Sequence, residues 1–183
     1  DNYNKASDID YRLQAERPET KARLGIFGGV SNNPFVRNPN NTIVPIFGAE
    51  AEVYDAKRSR HSLGVLFKQS LKADDFKYSS SQFGLFYRFR VINKESFSIY
   101  PQATFATYTC SKSETTTTIG TTTTLTKSSG SALDAPIILG LGADIKLGNG
   151  YIPVSANELF ALINFDNQGN TPVDLRLGYK FNL

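Results

Sequence analysis

Apolar and polar side chains alternate through most of this chain. In the first such segment one face carries Ala22, Leu24, Ile26, Gly28 and Val30, and the other carries Lys21, Arg23, Gly25, Phe27 and Gly29. A period of two predicts a β-strand with one apolar face. The pattern recurs seven times, which predicts strands at 21–30, 43–54, 61–71, 82–91, 97–108, 135–147, within 151–165 and at 173–183.

Eight strands are an even number, so a barrel that begins and ends on one side of a membrane can close without a free edge. The predicted connections after strands one, three, five and seven are mostly long, and the others are short. Transmembrane barrels show this asymmetry. The predicted fold is therefore all-β, an eight-stranded antiparallel up-and-down transmembrane β-barrel at 20–183, preceded by a periplasmic extension at 1–19.

Two orientations suit an alternating barrel. With apolar faces inward it would be a soluble ligand carrier, and with apolar faces outward it would meet lipid. The polar faces favour the second, because glycines beside long charged side chains fit a crowded lumen. The predicted lumen ion-pair residues are Arg23, Glu50, Glu52, Lys68, Arg88, Arg90, Asp144, Lys146, Glu158, Asp174, Arg176 and Lys180. Strict alternation also predicts Ala106 and Phe160 inside.

The last strand carries a pattern of its own. Arg176, Gly178, Tyr179, Phe181 and Leu183 resemble the C-terminal signal by which outer-membrane barrels are recognised for assembly. With this motif, the barrel portion resembles the small eight-stranded outer-membrane barrel family that includes the transmembrane domain of outer-membrane protein A. The resemblance implies the bacterial outer membrane, insertion by the barrel assembly machinery and periplasmic termini. Asn- and Thr-rich loops and many lysines favour a Bacteroidetes-type source.

Composition narrows the function classes. The formal net charge is +3 with scattered lysines and arginines, which gives no nucleic-acid footprint. The lone Cys110 forms no internal disulfide, and the residue pattern predicts no metal or cofactor. A start at Asp1 without an apolar leader is interpreted as a mature chain whose signal peptide has been removed. The expected lipid contact is the outer membrane itself.

A threonine-rich stretch interrupts the alternation between the fifth and sixth strands. The plainer interpretation is a solvated loop. The alternative is a hairpin that protrudes above the membrane and pairs with another protein, because threonine favours strands. The interaction candidates are Thr115, Thr118, Ile119, Thr121 and Thr124.

Two function classes remain open at this stage. The first is a non-enzymatic barrel with a filled lumen, acting as a structural or interaction protein or as an accessory subunit of a larger outer-membrane complex. The second is a lipid A-modifying barrel enzyme, suggested by His61 beside Ser62. The predicted topology favours the first, because it places His61 next to a periplasmic turn and offers no second histidine as a base. A channel conflicts with eight strands and a bulky lumen.

Overall fold

A computed structural model of the chain describes residues 19–57, 60–119, 122–163 and 171–183. The strands are β1 (Thr20–Ser31), β2 (Val44–Asp55), β3 (His61–Ser70), β4 (Tyr78–Phe89), β5 (Ile92–Asn93), β6 (Phe97–Ile119), β7 (Thr122–Asp134), β8 (Ile138–Leu147), β9 (Gly150–Ala161) and β10 (Asp174–Asn182). No helix in the described ranges is long and apolar enough to cross a membrane. Apart from Glu19, the predicted N-terminal extension lies outside these ranges.

The strands close into one barrel. Antiparallel pairing runs from β1 through β2, β3 and β4 to β6, then through β8 and β9 to β10, which pairs back with β1. The first part of β6, residues 97–104, pairs with β8, and the rest, residues 107–119, pairs with β7 along the same edge. The strands β7 and β8 therefore share a single position in the wall. The wall therefore has eight strands, and the predicted fold class is confirmed.

The two ends of the barrel differ. At one end, short connections join β2 to β3 and β8 to β9, and the start of β1 pairs with the end of β10 through Arg23 and Asn182. We call this the terminal end. The opposite end, the loop end, carries the connections 32–43 and 71–77, the end of β9, the start of β10 and the β6–β7 hairpin. The predicted asymmetry of the connections is present, with both described chain ends at the same end.

The outer face of the wall is apolar and the inner face is charged. Leu24, Ile26 and Leu177 lie outside and exposed, whereas Glu52, Arg88 and Lys180 point inside and are almost fully buried. Large exposed apolar side chains occur on all eight wall strands. The predicted orientation of the alternating faces is therefore the one in the structure.

Two bulges overturn strict alternation. Across from the Leu85–Phe86 step, β6 contains one additional residue, Phe105, so Ala106 pairs with Leu85 on the outer face. In β9, residues 157–159 lie opposite Gly140, and Phe160 is 59% exposed. The predictions of Ala106 and Phe160 inside are wrong. The single additional residue of β6 moves Ala106 to the other face. In β9 the bulge turns Asn157 and Glu158 inward together, so Phe160 faces outward as Val154 and Ala156 do.

Candidate functional site

The lumen is filled by a charge network centred on two glutamates of β2. Glu50 accepts hydrogen bonds from both terminal nitrogens of Arg88, at 2.6 and 2.8 Å. Glu52 accepts hydrogen bonds from Arg88 at 2.9 Å, from Arg90 at 2.8 Å and from Arg23 at 3.2 Å. In such a cluster each buried carboxylate and each buried guanidinium group has a hydrogen-bond partner of opposite charge. The network thus ties β1, β2 and β4 together across the barrel.

Lys180 extends the network to the far wall. Its Nζ lies 2.7 Å from Asp144 Oδ1 and 3.3 Å from Glu50 Oε1. Tyr100 donates its hydroxyl to the same Asp144 oxygen at 3.0 Å. Since Lys180 belongs to β10, Asp144 to β8 and Tyr100 to β6, the inner side chains brace opposite walls of the barrel.

A second cluster lies towards the loop end. Lys68 Nζ contacts Glu158 and lies 3.3 Å from Asp174 Oδ2, and Asp174 also accepts from Arg176 Nε at 2.6 Å. The β9 bulge makes this possible, because Glu158 adopts a φ of 53° and turns inward beside Asn157. A left-handed glutamate is uncommon, and here it brings a carboxylate to a buried lysine.

Little space remains between these side chains. Two cavities along the inner wall have volumes of about 10 Å³ each. That is roughly the space that one water molecule requires. A pocket of about 300 Å³ opens beside Lys68 and Glu158 towards the loop end. The tightly packed part of the lumen therefore lies between this pocket and the terminal end.

Buried asparagines order the connection 32–43 at the loop end of the barrel. Asn32 and Asn38 are fully buried in the connection 32–43. Asn32 donates to the Thr171 carbonyl at 2.7 Å, and Asn38 donates to the Thr42 carbonyl at 2.8 Å. Asn33 donates to Ser70 Oγ at 3.1 Å, which fixes the connection to β3. These bonds give the connection 32–43 a defined conformation and fix it to β3 and to Thr171.

The predicted lumen residues fall into two groups. The structure brings together Arg23, Glu50, Glu52, Lys68, Arg88, Arg90, Asp144, Glu158, Asp174, Arg176 and Lys180. Lys146 does not join them. It is exposed at the terminal end of β8 and makes no ion pair within the described residues, so its assignment to the network is wrong.

Sequence reasoning missed three partners of the network. Ser62, Tyr100 and Gln102 are buried and bond to Glu52, Asp144 and Arg88 respectively. All three lie on the polar faces of their strands, so the alternation predicts that they point inward. Their uncharged side chains gave no reason to place them in an ion-pair network.

The threonine-rich stretch is a hairpin, not the loop that the plainer interpretation favoured. Backbone pairing runs from Thr107 opposite Asp134 to Ile119 opposite Thr122. Thr115, Thr118 and Ile119 therefore lie in β6, and Thr124 lies in β7, whereas Thr121 is outside the described residues. β6 pairs with β4 on its other side as far as Ser113. The other edge of β7 has no strand partner among the described residues.

The remaining predicted positions are on the wall surface. In β10, Tyr179 and Phe181 point outward and Arg176 points inward, with Gly178 between them. His61 is exposed on the outer face, and its Nδ1 lies 2.5 Å from the Tyr87 hydroxyl oxygen. Ser62 points into the lumen, so the two residues lie on opposite faces of β3. Among described residues there is no cluster of three metal-ligating side chains.

No family model and no curated protein matches this chain. Solved structures do. The N-terminal β-barrel domain of Pseudomonas aeruginosa OprF is 9% identical, with a TM-score of 0.47, and the alignment covers 91% of this chain and all of that domain. Ail, the attachment invasion locus protein of Yersinia pestis, is 12% identical, with a TM-score of 0.44 and coverage of 91% and 95%.

A second structure of Ail contains the heparin analogue sucrose octasulfate, at 13% identity and a TM-score of 0.44, with coverage of 91% and 96%. Identities this low describe a likeness of fold alone. The Bacteroidetes-type source stays a prediction.

Proposed function

We propose that this protein is a non-enzymatic integral protein of the bacterial outer membrane, in which a closed barrel holds a hairpin above the membrane for contact with other envelope proteins. The observation that carries the proposal is the inversion of the wall, with charges buried inside and leucines, isoleucines and phenylalanines exposed outside. Monomeric soluble proteins rarely expose an apolar surface that encircles the molecule. Lipid is the solvent that suits this exterior.

Aromatic side chains mark two levels on the outer face, as expected at the two membrane interfaces. Near the terminal end, the rings of His61 and Phe89 lie 5.0 Å apart and those of Tyr179 and Phe181 lie 4.8 Å apart. Near the loop end, the Phe67 and Phe83 rings lie 5.0 Å apart. The band between these levels is the proposed membrane-spanning part. The short connections and chain ends then face the periplasm.

The filled lumen supports a structural or interaction role rather than transport. Ion pairs cross the barrel at two levels, and the two cavities beside Glu50, Arg88 and Arg176 have volumes of about 10 Å³ each, close to the size of one water molecule. We expect no stepwise conductance in a planar bilayer. Reproducible single-channel steps from pure protein would contradict the closed-barrel proposal.

The hairpin provides the contact surface. The outer edge of β7 spans Thr122–Asp134 and contains no proline and a single lysine, Lys127. Natural proteins usually block exposed edges with such residues. An unprotected edge suits the addition of a strand from another protein, which would make the barrel an accessory subunit of a larger complex.

Membrane insertion is the first test. The full chain should fold in detergent or lipid vesicles into a form that migrates differently on gels before and after boiling. It should resist protease except at the loop-end connections, which should be cut only from outside the cell. A chain that folds in water without detergent would overturn the proposal.

Partner contact is tested by a photo-crosslinking residue at Ser128 on β7, with Lys21 on β1 as the control position. We expect a crosslinked envelope protein at Ser128 that Lys21 does not capture. Identical products at both positions would argue against the edge as the contact surface.

The lipid-modifying alternative receives no support from the geometry. His61 lies near the terminal end and points away from Ser62, so the pair cannot act together on one substrate. The enzyme class would return if expression caused a mass shift of lipid A that His61→Ala abolished. The C-terminal assembly signal remains a proposal, tested by deletion of Phe181 to Leu183 and measurement of insertion.

A further inference from the structure

The outer face of β2, β3, β4, β6 and β7 carries two adjoining grooves of opposite chemistry. The lower groove has a volume of about 460 Å³ and an apolar lining. The upper groove, towards the loop end, has a volume of about 530 Å³ and is lined by serines, Gln69 and Lys112. The two grooves adjoin because β3, β4, β6 and β7 each contribute residues to both of them.

The boundary between the grooves is one step of the pleat. Strand pairing places Phe67, Phe83, Tyr108 and Leu133 in a row across the four strands. The next outward row is Gln69, Ser81, Cys110 and Ser131. We call these the aromatic row and the polar row. On each of these four strands, the outward side chains therefore change from apolar or aromatic to polar within two residues.

The lower groove is deepest where alanines stand among larger side chains. Ala51 of β2 and Ala106 of β6 lie in one row across the wall, on either side of Val65 and Leu85. Ala106 is there only because the β6 bulge turns it outward opposite Leu85. A hydrocarbon chain fits such a depression, since filling it restores the dispersion contacts that the short side chains leave unmade.

The upper groove suits a sugar. Ser79, Ser129 and Ser131 carry hydroxyls that can both donate and accept, and Ser81, which donates to Gln69 Oε1, can still accept. Sugar hydroxyls require this bonding capacity. Lys112 is exposed on the same surface and supplies one positive charge. A single cation among hydroxyls matches a saccharide with an anionic substituent better than a compact zwitterionic headgroup.

From these rows we propose that the wall formed by β2, β3, β4, β6 and β7 binds one glycolipid of the outer leaflet, with an acyl chain over Ala51 and Ala106 and an anionic sugar headgroup at Ser81, Ser131 and Lys112. The site rests on the proposed membrane location. It also deepens that function, because it fixes which side of the barrel carries an ordered lipid. The bound lipid would then flank the lower half of the hairpin.

Cys110 provides the readout. It is exposed in the polar row, and it is the only cysteine of the chain. Lipid-free protein, refolded in detergent, is treated with a polyethylene-glycol maleimide with and without diphosphorylated lipid A. We expect lipid A to slow the labelling of Cys110 about tenfold and to stay bound at one copy per chain in native mass spectrometry. Phosphatidylglycerol should do neither.

Matched variants test the acyl-chain part and the headgroup part of the site separately. Ala51→Phe and Ala106→Phe should abolish retention of lipid A, whereas Ala103→Phe, an outward alanine of β6 outside the groove, should leave it unchanged. Lys112→Gln should weaken binding about tenfold, because a charge-assisted bond contributes roughly 1.5 kcal/mol or more. Lys127→Gln, on the same hairpin but outside the groove, should have no effect.

Equal protection by phosphatidylglycerol, or equal loss in Ala51→Phe and Ala103→Phe, would overturn the proposal. A shift in gel migration on boiling is recorded for every variant, so loss of binding is counted only in a folded barrel. If the unaltered chain itself fails to insert, the membrane location fails. If it inserts but lipid A does not protect Cys110, the glycolipid site alone fails.

Discussion

The inner and outer faces of the barrel wall make different demands on a side chain. Inside, Glu52 is useful only because Arg23, Arg88 and Arg90 meet it at fixed distances. Outside, Leu24 or Leu177 needs only to be apolar, since the proposed lipid surroundings would adapt to its shape. The inner face should therefore be sensitive to the loss of a partner, and the outer face to the gain of a charge.

The largest effect is expected from Glu52→Gln. The substitution leaves three buried guanidinium groups without their shared carboxylate, so we expect the free energy of unfolding to fall by about 3–5 kcal/mol. Urea titration in detergent, followed by the fraction that migrates as folded barrel, measures it. Glu19→Gln is the control, because the Glu19–Lys21 pair is exposed and should contribute less than about 1 kcal/mol. Equal losses would show that the network is not stabilising.

Leu141→Arg tests the outer face. Leu141 is 52% exposed on β8 in the proposed membrane band, and an arginine there should cost about 2–4 kcal/mol near the midplane. Leu125 is 54% exposed but lies on the hairpin, so Leu125→Arg should be nearly neutral. Unfolding in lipid vesicles gives both values. If the two substitutions cost the same, the band and the hairpin are in the same solvent, and the membrane boundary is wrong.

A smaller effect is expected from the packing of the lumen. A Cβ at Gly142 would lie 2.6 Å from the Tyr100 ring, so Gly142→Ala must displace a buried tyrosine that holds Asp144. We expect a loss of about 1–3 kcal/mol. Gly130→Ala on β7 is the control, because a Cβ there meets nothing within 4 Å. A neutral Gly142→Ala would mean that the lumen is loosely packed.

Most of the fold was predictable because its signal is local. Strands β1 to β4 alternate without interruption, so the faces of Phe27, Glu50, Lys68 and Arg88 followed from position alone. The bulges were not predictable. An additional residue such as Phe105 has no sequence signal of its own, yet it moves Ala106 from one face to the other.

The site divides in the same way. The ion-pair residues could be identified because charge on an inward face requires a partner, although which partner depends on the closed register. Lys146 satisfied the alternation but lies at a strand end, where solvent replaces the partner. The hairpin could not be predicted with certainty because threonine occurs both in solvated loops and in strands. Whether the stretch forms a strand depends on the pairing of β6 with β7, which the composition of the stretch does not reveal.

The smallest effect should come from a charge pair at the base of the hairpin, outside the membrane band. Lys72 donates to Glu114 at 2.7 Å, and this hydrogen bond and charge lower the pKa of Glu114 below its ordinary value. A carboxyl group with a lowered pKa in the folded state favours folding above its unfolded pKa, and the contribution is lost as the pH falls through the folded value. Lys72→Gln should raise the pKa of Glu114, as measured by NMR titration of its side chain.

Lys127 is the matched position, because it faces Glu114 directly across the hairpin and contributes less to the shift. Lys127→Gln should therefore raise the pKa by a smaller amount. Either substitution should lower the unfolding midpoint of the barrel only slightly, since the pair is exposed and water solvates Glu114 once its partner is gone. A midpoint in Lys72→Gln that falls as far as in Glu52→Gln would show that the base of the hairpin helps to hold the barrel closed. The braced part of the barrel would then extend further along β6 than the lumen network does.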